Sequence, residues 1–152
     1  MEDAVTESVL SFLRWLGVFH PVTVHFPVAL LIAAAIAELI GLARRRRWFF
    51  DAARFCIWGA TIGALIAAPL GWLNAGWDLA HDDQVLAGHR WLGSLLLFWL
   101  LALTALTEKV HRGELKHGIT IYWLLLFGGA LLVGITGHLG GMLVFGADYL
   151  AR

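Results

Sequence analysis

Seven histidines stand in this chain beside a single cysteine. Imidazole is the commonest metal ligand among side chains. Two neutral imidazoles on facing helices hold a haem b without covalent attachment. The lone Cys56 excludes an internal disulfide, a four-cysteine zinc site and a thiolate-held iron–sulfur cluster. No CxxCH attachment motif occurs either. The candidate ligands are His25, His89 and His138, two of which would bind the iron, with His20 as a further candidate beside them. Arg90 follows His89 and suits a haem propionate, since guanidinium matches carboxylate geometry.

These residues need elements to position them, and the composition says which. Apolar residues make up 60% of the 152-residue chain, against about 45–50% in a soluble domain. Charged residues are only 14%, and mean hydropathy is +0.77. A soluble domain of this length could not hide so much apolar surface. The net charge of zero gives no case for nucleic acid. Four apolar runs approach the ~20 residues that cross a bilayer: helices are expected over residues 22–43, 55–73, 89–107 and 119–139. The expected fold is an all-α up-down bundle of four transmembrane helices, one domain over residues 1–152. Val5, Val9, Phe12, Leu16 and Phe19 recur at helical spacing and predict an interfacial helix over residues 1–20.

Orientation follows from lysine and arginine placement. The loops after the first and third runs carry eight of the eleven basic residues, Arg44–Arg47 foremost. Those loops are expected in the cytoplasm, and both termini in the periplasm of a bacterial inner membrane. His111 and His117 then lie in a basic cytoplasmic loop and read as solvated, whereas His20, His25, His81, His89 and His138 lie toward the outer face. Asp82 or Asp83 is suited to cap the third helix.

The residues one turn inward are small. Ala29 lies below His25, Gly93 below His89 and Gly134 below His138. Helix two offers Gly59, Gly63, Ala67 and Gly71 at i+4 steps. Such stripes leave room for a porphyrin, and they are equally how membrane helices pack closely. His25 with His89 is the diagonal pairing and His25 with His138 its competitor; the sequence does not choose. Glu38 sits about 20 Å further down its helix than His25. It is expected to pair with Arg54 or Arg44–Arg47, or to move protons with a quinone.

The segments His20-Pro21-Val22-Thr23-Val24-His25-Phe26-Pro27, Gly71-Trp72, His89-Arg90-Trp91-Leu92-Gly93 and Gly137-His138-Leu139-Gly140-Gly141 carry a family resemblance. The chain resembles a widespread family of uncharacterised four-helix bacterial membrane proteins with HPxxVHFPxAL and GHxGGxLVxG motifs. It is most similar to the branch found as the membrane part of planctomycete-type cytochrome c fusion proteins. The resemblance implies a redox membrane module partnered with c-type cytochromes, with no established reaction.

Three readings follow. The first is a subunit holding one haem b, or two, that passes electrons within a larger membrane redox complex, to or from a periplasmic c-type cytochrome, with quinone as a further partner. The second is a non-redox anchor or assembly subunit. The third is a copper, zinc or iron site made from His20, His25, His89 and His138.

Overall fold

Hydrocarbon offers no hydrogen bonds, so each span must satisfy its backbone internally, and these runs do so as helices. A computed structural model describes residues 2–77, 79, 83–115 and 118–150, with side chains from residue 5 onward. The elements are α1 (Glu2–Gly17), α2 (His20–Thr23), α3 (His25–Arg44), α4 (Trp48–Ala75), α5 (Gln84–His111) and α6 (Gly118–Phe145). Four helical stretches are long and apolar enough to cross a membrane: residues 5–44, α4, α5 and α6. The ring is α3 on α4, α4 on α5, α5 on α6, closed by α6 on α3. This is the expected four-helix membrane bundle.

The helices overrun the apolar runs. α4, α5 and α6 have 28 residues each, about 42 Å, more than the ~30 Å of hydrocarbon. The expected bounds 55–73, 89–107 and 119–139 mark only the apolar middles. Helix backbone continues past them, because tryptophans and charges at the boundary do not break it.

Local chemistry sets several ends. Asp83 Oδ1 accepts from the Leu86 amide at 2.7 Å and caps α5, as the sequence suggests. α2 and α3 follow one helical path, with Val24 in right-handed backbone between them. Pro27 has no amide proton to give the Thr23 carbonyl, and the helix is interrupted there. At the other end of α3, Arg45 turns left-handed at φ 51°.

Glycines set the helix–helix spacing. A Cβ on Gly63 would lie 2.9 Å from Pro27 Cδ, and one on Gly59 2.8 Å from Leu30 Cδ1. The α4 stripe is therefore filled by α3 side chains at these two positions. Gly129 admits the Trp99 indole in the same way, and Trp99 Nε1 donates to the Leu125 carbonyl at 2.7 Å. Leu31, Ile57, Leu100, Leu103 and Leu126 are fully buried at the centre. Outside, Phe55 is 75% exposed and Leu131 69% exposed. Such an apolar jacket suits lipid and would aggregate in water.

α1 is the helix expected over residues 1–20, and it lies against α4. Gly17 makes the closest approach: a Cβ there would collide with the Asn74 backbone.

Candidate functional site

One end of the bundle collects the start of α3, the end of α4, the start of α5 and the end of α6. Two histidines meet there across the diagonal of the ring. His20, from α2, points its Nδ1 at the Ala67 carbonyl of α4, 2.9 Å away. His89, from α5, points its Nδ1 at the Thr136 carbonyl of α6, 3.0 Å away. A carbonyl only accepts, so each Nδ1 carries the proton and donates. The neutral ring then keeps a bare lone pair on Nε2. The two ring centroids are 6.0 Å apart, with planes at 74°. Both rings are half-buried.

Two glycines make room for the rings. A Cβ on Gly71 would stand 2.8 Å from His20 Cε1, and one on Gly140 would stand 3.1 Å from His89 Cε1. Neither glycine has a positive φ; the requirement is space, not backbone freedom.

The histidine brought beside His89 is not one of the two expected from sequence. His25 is exposed. His138 is exposed and bonds the Tyr149 hydroxyl at 3.0 Å. Neither ring lies against His89, whereas His20 does. Residues five apart on a helix differ by roughly 140° in direction. With His25 turned outward, His20 is turned into the bundle. The expected diagonal is kept, and its partner on the first helix moves by five residues. No group of three or more histidine, cysteine, aspartate or glutamate side chains converges among the described residues. His20, His25, His89 and His138 are therefore not gathered as one set in this structure. His81 lies outside the described residues.

The smaller expectations divide. Gly93 keeps space beside α6, with its nearest atom, Thr136 Cγ2, 4.0 Å from where a Cβ would be. Gly134 is exposed, with nothing within 4 Å of where a Cβ would be. Arg90, expected to suit a propionate, has other contacts in this structure. It is buried, donates to the Gly76 carbonyl at 2.8 Å, and lies 4.7 Å over the Trp72 ring. It thereby satisfies a carbonyl at the end of α4 and ties that end to α5. Trp72 Nε1 donates to Ser94 Oγ at 3.0 Å, and its ring packs on Trp77 and Trp91.

The opposite end, where Arg44 and Trp48 lie, holds the other polar cluster. Glu38 is 3% exposed and accepts from the Tyr122 hydroxyl through Oε1. The expected Arg54 partner is taken: Arg54 forks onto Glu108 at 2.7 and 2.8 Å, and Trp58 Nε1 adds a third bond at 2.7 Å. Tyr122 was invisible from the sequence because it is 84 residues from Glu38.

A family model described as a predicted membrane protein, DUF2231, matches residues 18–149. The chain belongs to the DUF2231 family. The matched region begins two residues before His20 and ends at Tyr149, so it takes in both histidines of the pair and all four spans from Val18 on. No curated protein and no solved structure matches the chain.

Proposed function

We propose that this DUF2231 protein is a b-type haem subunit of a bacterial inner-membrane redox complex, in which His20 and His89 would hold the haem. One observation carries the reading: both imidazoles donate Nδ1–H to helix carbonyls and keep Nε2 bare, 6.0 Å apart by centroid. Metal-binding histidines are anchored by the other ring nitrogen in just this manner. His20 and His89 would be the two residues to hold such a group, being the histidine pair whose rings lie 6.0 Å apart. A donor set of two suits haem, whose porphyrin supplies the other four nitrogens. A bare zinc site requires more protein ligands. Bound there, haem supplies one-electron chemistry at its iron.

The chain's own residues do the positioning. The Ala67 and Thr136 carbonyls fix each ring's tautomer and direction. Gly71 and Gly140 leave the rings their space. Arg90 holds α4 and α5 together next to them. The resemblance to the membrane part of cytochrome c fusion proteins supports a c-type cytochrome as electron partner. The arginine-rich loops at the far end favour a periplasmic histidine end, where such a partner would dock.

The test is the dithionite-reduced minus oxidised spectrum of the purified protein, with a pyridine haemochrome assay. The proposal expects a b-type α-band at about one haem per chain. A folded, haem-free protein would overturn it in favour of the anchor reading. That reading draws on the filled glycine stripe, where Pro27 and Leu30 occupy the space a cofactor would need.

A further inference from the structure

The turn from α3 to α4 carries four arginines in a row, Arg44 to Arg47, and all four are exposed. Among the described residues, none of these side chains makes a hydrogen bond or an ion pair. The acids described at this end are already engaged. Glu38 takes the Tyr122 hydroxyl and Glu108 takes Arg54, while Glu114 lies 3.9 Å from Arg112 and Asp51 lies 4.0 Å from His111. The chain is neutral as a whole, yet the positive charge of this turn has no counterpart within it.

The backbone points the same way. α4, α5 and α6 are each closely followed by a glycine of positive φ: Gly76 at 78°, Gly113 at 72° and Gly146 at 94°. α3 is followed by Arg45 at 51°, the one non-glycine residue of positive φ among the described residues. Glycine adopts that conformation without a Cβ clash, which arginine incurs. An arginine thus stands where a helix end favours glycine. The turn is also continuous with apolar outer surface. Leu39 and Leu42 before it are 54% and 42% exposed, and Trp48 after it is 61% exposed. The Trp48 ring is braced on Phe49, with centroids 3.8 Å apart. Tryptophan favours the headgroup level of a bilayer.

We propose that the Arg44–Arg47 turn is a docking surface for anionic phospholipid of the adjoining leaflet. Guanidinium groups offer forked N–H donors that match phosphate oxygens. The uncompensated positive charge selects a headgroup of net negative charge over a zwitterionic one. Such a lipid docks without leaving the membrane, because Leu39, Leu42 and Trp48 lie where its acyl chains run. The turn is at the far end from His20 and His89, so a haem-free protein leaves this proposal standing.

The experiment is native mass spectrometry of the full chain released from detergent, titrated with phosphatidylglycerol or with phosphatidylcholine of the same acyl chains. The first phosphatidylglycerol should bind about fivefold or more tightly than the first phosphatidylcholine, the worth of at least one cation near the membrane surface. Two variants separate charge from fold. Arg45→Gly removes one guanidinium and relaxes the end of α3. It should weaken phosphatidylglycerol binding severalfold, leave phosphatidylcholine binding unchanged and keep the helical circular dichroism. Joint replacement by Arg44→Gln, Arg45→Gln, Arg46→Gln and Arg47→Gln should bring the two lipids to within about twofold of each other. Equal affinity of the wild-type chain for both lipids overturns the proposal and leaves the arginines to an acidic protein partner or to membrane topology. A preference undiminished in folded Arg45→Gly protein, or surviving the joint replacement, overturns it as well.

Discussion

The two ends of the bundle solve the same problem differently. Each must hold polar side chains in an apolar surround. At the histidine end the partners are backbone carbonyls: Ala67 for His20, Thr136 for His89 and Gly76 for Arg90. At the arginine end the partners are side chains: Glu108 for Arg54 and Trp58, Tyr122 for Glu38. A helix carbonyl moves only if its helix moves, so the first end fixes ring directions firmly. A side-chain partner can change rotamer without its helix moving, so the second end holds its contacts less firmly.

The contrast can be broken by substitution. Gly71→Val should have the largest effect, because even a Cβ at that position would press to 2.8 Å from His20. Haem content per folded chain should drop to background in the haemochrome assay. Tyr122→Phe removes the hydrogen bond that the Tyr122 hydroxyl gives Glu38. A loss of about 1–3 kcal/mol is expected, seen as a lower melting midpoint in detergent, with haem content unchanged. Thr61→Val cuts the 2.7 Å bridge to Thr104 between α4 and α5. Interhelical bonds of this kind average about 0.6 kcal/mol in membranes, so its midpoint should fall least. Gly134→Ala meets nothing within 4 Å and should change neither stability nor haem content. A haem loss in Gly134→Ala would contradict the location of the site.

Much of the architecture was legible in sequence. Charge-free apolar runs of span length admit almost no fold but a membrane helix bundle, and Asp83 was readable as the α5 cap. Helix ends were less legible, since hydropathy reports the lipid boundary and not the last hydrogen bond. His89 was readable, being a histidine at the mouth of a span. Sequence places both His20 and His25 at the mouth of the first span; the prolines beside them blur where the helix begins, and with it which of the two faces inward. The carbonyls that Arg90 satisfies, at Ala75 and Gly76, lie at the end of the preceding helix, which its place beside His89 in sequence does not reveal. The Glu38–Tyr122 pair joins α3 to α6, a contact that only the closed ring creates.

The most direct test of the account compares four single variants, His20→Ala, His89→Ala, His25→Ala and His138→Ala, by haem content and reduced α-band in folded, purified protein. The account predicts that the first two lose the haem or its low-spin band, while the last two keep it. Retention of the band in His20→Ala together with its loss in His25→Ala or His138→Ala would contradict the pairing of His20 with His89.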